Sequence, residues 1–407
     1  MTFLVLNRRP IVDKIPDWLA DLDTDLVLVT ARSVLTPRTL TKAADRYREI
    51  VVVDDYNSPD VERVALELAR RNKVRRVLST AEIDVIRAAR IREQLGLPGQ
   101  GVESALAYRD KYRMKTIVAA AGLAVSRMRL VRSPAEVSAF AEDGGFPVVL
   151  KPVAGGGSVG VGVVPDEAAI DLLAGDLRGE GATQLLAESW VAGETIVVDG
   201  LMAGGQVMQC WPVRMRHRNL TALTDAKPRI GWMLRRGDSL GERAVAFVEQ
   251  VVAALPAPSE VTAFHAELFH TDDDRLLLGE IACRPGGCGH APIFEQAFGV
   301  NLFAASLRGQ AGCIDRVALN KPPQVLAGFG WFTPARGKLL AAPTKCSLPD
   351  VVSFTTTARV GSKYSGASSI SDDIARVITT APHGIDLDDR MSDIEEWWNA
   401  SCRWAED

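Results

Sequence analysis

Glycines are concentrated in residues 146–164, FPVVLKPVAGGGSVGVGVV, between two apolar runs. Gly155, Gly157 and Gly160 satisfy the pattern G-x-G-x-x-G, but a dinucleotide-binding loop also needs a strand before the glycines and a helix after them. The run before the glycines is typical of a strand, and the β-branched run after them, which ends at Pro165, also predicts a strand. The segment is therefore predicted to be a strand–loop–strand hairpin, which excludes a dinucleotide fingerprint.

Two other glycine-loop classes are also excluded by their missing residues. A P-loop ends in Gly-Lys-Ser or Gly-Lys-Thr, and no lysine follows these glycines. Protein kinases carry H-R-D and D-F-G, and neither string occurs in the chain. A hairpin whose backbone N–H groups cover phosphates remains, with Lys151 at the end of its first strand. The alternative is a hairpin tip without a ligand, since glycine-rich turns are common.

Composition narrows the class of protein. The chain has 407 residues and a net charge of −4, so we expect two or three domains and no nucleic-acid partner. Its 6 cysteines follow no repeated spacing, which is typical of reduced thiols and of a cytoplasmic location. No apolar run is long enough to span a bilayer, and no secretory leader is expected.

Strands and helices alternate through the first hundred residues. TFLVL, DLVLV, EIVVVDD and KVRRVLST are predicted strands, and SPDVERVALELARRN and AEIDVIRAARIREQLG are predicted helices. This alternation predicts a parallel sheet with helices on its faces. A boundary is expected near residues 96–104, and strands predominate again from 185 to 282. The predicted fold class is α/β followed by α+β.

A second candidate site lies in the segment FHAELFHTDDDRLLLGEIACRPGG. A hairpin symmetric about Asp273–Asp274 places Glu267 directly opposite Glu280, with Cβ atoms about 4.5–5.5 Å apart. Two such carboxylates repel each other unless a cation lies between them, and Mg²⁺ suits carboxylate ligands. Arg284 follows four residues later, where a guanidinium stabilises charge on a transferred group. The alternative is that both glutamates lie on a solvated face.

The order of four segments resembles a known family. DKYRMKTIVAAAGLAV, FPVVLKPVAGGGSVGV, LLAESWVAGETIVVDGL and AELF…GEIACRPGG are similar, over residues 105–310, to the ATP-grasp superfamily. STAEIDVIRAARIREQLGLPG resembles the segment that usually precedes it. Within the superfamily the chain most resembles the L-amino-acid ligases that make dipeptides, and GFGWFTPARGKLL resembles their closing segment.

This resemblance implies a domain order and a set of site residues. The domains are an N-terminal α/β (pre-ATP-grasp) domain over 1–104, a small subdomain with the glycine-rich flap over 105–185, a central subdomain over 186–320 and a C-terminal α+β region over 321–407. The phosphate contacts are Lys111 and Lys151, under a flap formed by Gly155, Gly156, Gly157 and Ser158. The nucleoside contacts are Glu188, Ser189, Trp190 and Val191 at the adenine edge, chiefly through backbone groups, and Glu194 at the ribose. Glu267 and Glu280 would bind Mg²⁺, with Mn²⁺ as an alternative ion. Arg284 would support the acyl-phosphate.

Two positions depart from the family pattern. Ala282 stands where many members have asparagine, which leaves open whether one or two Mg²⁺ ions bind. Ser126 stands where a proline is common, and we expect this change to be tolerated.

The activity that the resemblance implies is ATP-dependent joining of a small-molecule carboxylate to an amine, with amino acids as expected substrates and a homodimer as an expected assembly. An enzyme that activates bicarbonate and a non-catalytic ATP-binding module are the alternatives. The basic segment 214–229 is either a substrate lid or a solvated loop. The candidate substrate residues are Arg214, Arg216 and His217 in that segment and Gly286, Gly287 and His290 after Arg284.

Overall fold

The N-terminal part of the chain forms a parallel sheet in the order β3-β2-β1-β4. The computed structural model describes residues 1–171, 184–218, 227–313, 321–367, 372–382 and 385–405. Helices cover both faces of this sheet, which is why its strands are continuously apolar. Its strands are β1 (Thr2–Asn7), β2 (Asp25–Ala31), β3 (Glu49–Val53) and β4 (Arg76–Ser79). The helices beside it are α1 (Ile15–Trp18), α2 (Pro37–Ala43), α3 (Asp60–Arg71) and α4 (Asp84–Leu95), with 3₁₀ turns at Ala20–Leu22 and Arg32–Val34.

A small antiparallel sheet in the order β5-β8-β6-β7 follows. Its strands are β5 (Met128–Val131), β6 (Val148–Pro152), β7 (Gly162–Val164) and β8 (Leu185–Ser189). The helices of this part are α5 (Val102–Ala107), α6 (Lys111–Ala120) and α7 (Pro134–Gly144), with a 3₁₀ turn at Glu167–Ala169. β6 and β7 pair antiparallel on either side of the glycines, so the predicted strand–loop–strand hairpin is confirmed.

An eight-stranded sheet in the order β13-β12-β9-β10-β11-β14-β18-β16 forms the centre of the chain. Its strands are β9 (Glu194–Ala203), β10 (Gln206–Met215), β11 (Arg229–Met233), β12 (Thr262–His270), β13 (Leu276–Ala282), β14 (Leu326–Phe332), β16 (Val351–Thr356) and β18 (Ala375–Ala381). The helices of this part are α8 (Ser239–Ala254), α9 (His290–Phe298), α10 (Leu302–Gln310) and α11 (Leu387–Ser401). A separate small sheet contains β15 (Arg336–Ala341), β17 (Lys363–Ser365) and β19 (Arg403–Ala405).

Three local features differ from the expectations or go beyond them. Helices α5 and α6 are separate, because α5 ends at Ala107 and the Asp110 side chain accepts a hydrogen bond from Arg113 N at the start of α6. Helix α8 was not predicted within the strand-rich region. Strands β14, β16 and β18 of the C-terminal region extend the central sheet, since β14 pairs with β11.

Helix α10 brings the N-terminal sheet against the central sheet. Gln310 Nε2 donates to Ser79 O at 2.8 Å, and its Oε1 accepts from Ser79 N at 3.0 Å. Leu307 packs with Phe3 and Val5 of β1 in one buried cluster. The carboxyl ends of β1 and β4 therefore lie next to the loop that precedes α9. Within the described residues, no helix combines the length and apolar character that crossing a membrane requires.

Candidate active site

Glu267 and Glu280 are directly paired across the β12–β13 hairpin, as the sequence predicted. The reason differs from the predicted symmetry about Asp273–Asp274. The pairs nearest the turn, such as His270 with Leu276, are symmetric about Asp273 itself. A bulge at Gly279 then shifts the register by one residue, so that Glu267 meets Glu280 instead of glycine.

Cations surround Glu280 and keep it ionised. Lys111 Nζ lies 2.9 Å from Glu280 Oε2 and also donates to Gly155 O at 2.9 Å. Burial would raise the pKa of Glu280, but Lys111 and Lys151 outweigh it and lower that pKa to about 2. An ionised carboxylate beside that of Glu267 is the donor set that a hard divalent cation prefers, so these residues fit Mg²⁺. Ala282, where many members of the family have asparagine, lies opposite His265.

A second ionic cluster joins Lys151, one of the two predicted phosphate contacts, to buried residues. Glu188 Oε1 lies 2.7 Å from Lys115 Nζ and 2.9 Å from Lys151 Nζ. Ser126 Oγ donates to Glu188 Oε2 at 3.1 Å and accepts from Lys115 at 3.0 Å. Lys115 is fully buried, and burial lowers its pKa to about 8 although Glu188 opposes this. Sequence reasoning missed Lys115, which its spacing could have revealed, because it lies one helical turn after Lys111.

This cluster makes stability depend on pH. Burial would raise the pKa of Glu188, but Lys115 and Lys151 outweigh it and lower the pKa to about 2 from 4.5. The unfolded chain therefore binds more protons between these values. We expect the free energy of unfolding to fall by about 3 kcal/mol between pH 4.5 and 2 through this group alone. Urea unfolding across that range measures the decrease.

Glu188→Gln is the variant that isolates this contribution. The variant lacks the titrating carboxyl, so its unfolding free energy should depend less steeply on pH between 4.5 and 2 than that of the wild type. Glu142→Gln, at an exposed position of α7, is the matched control and should keep the wild-type slope. Equal slopes for the wild type and Glu188→Gln would contradict the assignment.

The glycine loop is held at its base by two cations. Arg109 Nη2 donates to Ala154 O at 2.6 Å, and Lys111 bonds the next carbonyl, that of Gly155. Gly157 and Ser158 both have positive φ, at 67° and 60°, so the loop reverses direction there. The residues predicted to form a phosphate flap, including Gly156, thus lie next to the Lys111–Glu280 pair. Their contact with phosphates stays a prediction.

The predicted nucleoside contacts follow β8 along the same side of the site. Ser189 N and Trp190 N donate to the carbonyls of Arg127 and Pro147, so both amides are already paired within the sheet. Glu194, the predicted ribose ligand, lies 2.9 Å from Arg214 Nε and 2.8 Å from His270 Nδ1. The adenine role of Glu188–Val191 and the ribose role of Glu194 remain predictions.

The predicted substrate lid is only partly described, since residues 219–226 lie outside the described ranges. Arg214 Nε pairs with Glu194 Oε2 at 2.9 Å. Arg216 Nη2 lies 2.8 Å from Asp388 Oδ1, and His217 Nε2 lies 3.6 Å from Glu395, both on α11. These contacts tie the start of the segment to the C-terminal helix, and a substrate role for it stays a prediction.

Arg284 is fixed by a carboxylate from the N-terminal sheet. Arg284 Nε donates to Glu82 Oε2, and Arg109 Nη1 donates to Glu82 Oε1 at 2.8 Å. Burial would raise the pKa of Glu82, but the guanidinium charges of Arg284 and Arg109 outweigh it and hold that pKa below its ordinary value. Glu82 therefore connects Arg284 with the residue that holds the base of the flap. The sequence did not predict a role for Glu82.

A buried group of three polar side chains lies beneath the loop after Arg284. His265 Nδ1 lies 2.8 Å from Asp199 Oδ1, and His290 Nδ1 lies 2.9 Å from Asp199 Oδ2. A side chain at Gly286 would collide with Asp199, because a Cβ there would lie 2.4 Å from Oδ1. Of the predicted substrate residues, His290 thus belongs to this group and Gly286 packs closely against it. Asp199 was missed, although an acidic residue within the apolar run TIVVDGLM is a recognisable signal.

His265 connects this buried group to the paired glutamates. Burial would lower the pKa of His265, but Asp199 outweighs it and raises that pKa to about 9. Its Nε2 lies 3.4 Å from Glu267 Oε1. The ligand atoms of Asp199, His265 and His290 lie within 4.8 Å of one another, but a protonated imidazole has no lone pair for a metal. We interpret His265 as a cation that orients Glu267.

Comparison with known proteins shows what the chain is similar to. The model of the ATP-grasp domain matches residues 116–298, so this segment is similar to ATP-grasp domains. The L-arginine-specific L-amino acid ligase of Bacillus subtilis is 25% identical over 264 residues, which are 63% of this chain and 63% of that relative. The chain thus aligns with less than two thirds of the length of this relative.

Solved structures show the same fold. The L-amino acid ligase from Bacillus licheniformis superposes with a TM-score of 0.73 at 16% identity, covering 100% of this chain and 98% of that one. The biotin carboxylase domain of the Hydrogenobacter thermophilus 2-oxoglutarate carboxylase, described in complex with MgADP, ADP and bicarbonate, has a TM-score of 0.69 at 16% identity. The superposition covers 99% of this chain and 90% of the biotin carboxylase domain. The predicted fold class, with a parallel N-terminal sheet before an ATP-grasp fold, is confirmed.

Proposed function

We propose that this protein is an ATP-dependent ligase that joins the carboxylate of one amino acid to the amine of another through an acyl-phosphate. The observation that carries the proposal is the opposed pair of Glu267 and Glu280 with Lys111 beside it, inside an ATP-grasp domain. The similarity to an L-arginine-specific L-amino acid ligase supports amino acids as the substrates. We also propose that the domains end at residues 104, 185 and 320, as the resemblance implies.

The reaction has two balanced steps. A carboxylate oxygen of the first substrate attacks the γ-phosphorus of ATP, and the bond to the bridging oxygen breaks to release ADP. The amine of the second substrate, after losing a proton, attacks the acyl carbon, and phosphate leaves with the bonding electrons. No covalent enzyme nucleophile is needed, because positioning and charge stabilisation supply the catalysis.

The side chains of the site divide this work. Lys111 and Lys151 neutralise phosphate charge, and Arg284, held by Glu82, stabilises the charge on the acyl-phosphate. When bound between Glu267 and Glu280, Mg²⁺ would supply further neutralisation of phosphate charge. The flap over residues 155–158 excludes water, which would otherwise hydrolyse the acyl-phosphate.

Phosphate release from ATP tests the proposal. The purified protein is assayed with Mg²⁺ and every pairwise combination of the 20 proteinogenic amino acids, and the products are identified by mass spectrometry. We expect release to require both a carboxylate and an amine, with a product mass equal to the two amino acids minus water.

The bicarbonate-activating alternative has a specific observation in its favour, the fold shared with a biotin carboxylase domain. Release that requires bicarbonate and no amino acid would support this alternative and contradict the ligase proposal. ATP binding without phosphate release under any of these conditions would support a non-catalytic module.

A further inference from the structure

The carboxyl ends of β1 and β4 form an edge that faces the candidate active site. In the order β3-β2-β1-β4, the strand sequence reverses between β1 and β4. Ligands of open α/β sheets bind in the crevice outside the carboxyl ends of strands at such a switch point. Glu82, three residues after β4, reaches from this edge to Arg284. Arg9, two residues after β1, lies on the same edge.

The loop that carries Arg9 is held in one conformation by a buried side chain. Asn7 is fully buried, and its Nδ2 donates to Arg9 O at 2.7 Å and to Thr30 Oγ1 at 3.3 Å. Arg9 N in turn donates to Asn7 Oδ1 at 3.2 Å. The backbone of Arg9 is therefore fixed before any ligand arrives, which lowers the entropy cost of binding.

The guanidinium of Arg9 has unused hydrogen-bonding capacity. Its Nε donates to Thr80 O at 3.2 Å, and its Cζ lies 5.1 Å from the centre of the Phe303 ring. Among the residues that the structure describes, no carboxylate lies within ion-pair distance of Arg9, and neither Nη atom has a hydrogen-bond acceptor. The side chain is half-buried, so a small ligand can still reach it.

The charge of Arg9 is held in an unfavourable environment. Burial, and then the neighbouring charge of Arg284, lower the pKa of Arg9 to about 10, so the side chain remains a cation at neutral pH. A partly desolvated guanidinium with a free fork of N–H groups gains most from a planar anion, and a carboxylate matches that fork with two parallel hydrogen bonds. Arg284 is already paired with Glu82. Of the two neighbouring guanidinium groups, that of Arg9 is therefore the one with no carboxylate partner among the described residues.

We propose that Arg9 binds the carboxylate of the amine substrate, and that this substrate is therefore an amine bearing a free carboxylate, such as an α-amino acid. This proposal rests on the ligase function proposed above. Once its amine is neutral and ready to attack, an amino acid retains one charge, that of its carboxylate. The acyl-phosphate is formed beside Arg284, so the amine must approach there, and Arg9 binds the opposite end of the same molecule.

Arg9→Gln tests the proposal, with Arg8→Gln as the matched control on the same loop. Arg8 is exposed, and its Nη1 donates to Asn57 Oδ1 at 2.9 Å. For an amino-acid pair that the wild type joins, we expect Arg9→Gln to raise the KM of the amine substrate at least about tenfold. The KM of ATP and that of the acyl substrate should stay at their wild-type values, as should every KM of Arg8→Gln.

The amide of the same amine substrate is a second probe, because it lacks the carboxylate. The wild type and Arg9→Gln should have equal KM values for this amide. For the amino acid itself, the KM of Arg9→Lys should lie between those of the wild type and Arg9→Gln. An unchanged amine KM in Arg9→Gln, or a rise confined to the acyl substrate, would overturn the proposal while leaving the ligase function intact.

A binding measurement tests the carboxylate site of Arg9 even if the protein joins no pair of amino acids. Each proteinogenic amino acid is titrated calorimetrically into wild type, Arg9→Gln and Arg8→Gln, all with Mg²⁺ and ADP present. At least about tenfold weaker binding in Arg9→Gln alone supports the carboxylate site, whether or not the ligase function holds. Equal binding by the three proteins, or no binding to the wild type, overturns it. Matching urea unfolding midpoints establish that each variant is folded.

Discussion

Glu280→Gln is expected to reduce the rate of ATP-dependent phosphate release by about 10²–10³-fold, a size typical of removing one charge-stabilising group from an active site. Glutamine keeps the shape of the side chain but removes the negative charge that pairs with Lys111 and faces Glu267. The remaining carboxylate alone holds a divalent cation less firmly. The measurement is kcat for phosphate release at saturating Mg²⁺ and ATP.

Glu249→Gln is the control for this variant, since Glu249 is exposed on helix α8, away from the paired glutamates. It should retain wild-type kcat. The circular dichroism spectrum of Glu280→Gln should match that of the wild type, because Glu280 lies on the side of the hairpin that faces the site. Wild-type turnover in a folded Glu280→Gln protein would remove this residue from the metal site.

Glu188→Ala is expected to lower the free energy of unfolding by about 3–5 kcal/mol at pH 7. The substitution leaves Lys115 and Lys151 without the carboxylate that lies 2.7 and 2.9 Å from them. Lys115 is fully buried, so its charge then has no compensating anion and little access to water. Urea unfolding, followed by tryptophan fluorescence, gives this free energy.

The double variant Lys115→Met/Glu188→Met separates the loss of the ion pair from simple loss of packing. Because both charges of the buried pair are removed together and replaced by apolar groups, we expect it to be more stable than Glu188→Ala. Glu142→Ala, at an exposed position of α7, should unfold within about 0.5 kcal/mol of the wild type. If Glu188→Ala were as stable as Glu142→Ala, the cluster would contribute nothing to folding.

Short-range patterns accounted for the elements and for several turns. The apolar runs predicted β1, β2 and β3, and Ser133 caps α7 immediately before Pro134. These predictions hold because strand alternation and helix capping depend on residues within a few positions of one another. Helix α8 was missed because its apolar residues lie in a region where strands predominate.

The register of the β12–β13 hairpin could not be predicted from short-range patterns. The pairing of Glu267 with Glu280 was predicted from a turn centred between Asp273 and Asp274. The turn is centred on Asp273, and the bulge at Gly279 restores the pairing. The bulge lies in the pairing of β13 with β12, and no local sequence pattern specifies it.

Local sequence thus determined which segments form the two hairpins, the strands and helices of the N-terminal sheet and the chemical types of the candidate ligands, because backbone preferences and side-chain alternation act over short distances along the chain. Tertiary packing decided the partners: Glu82 with Arg284, Lys115 with Glu188, and Asp199 between two histidines. Each of these contacts joins residues far apart in sequence, and each depends on burial that strengthens charge interactions only after the sheets have assembled. The free guanidinium fork of Arg9 belongs to the same group, since its sequence neighbours give no sign of what lies opposite it.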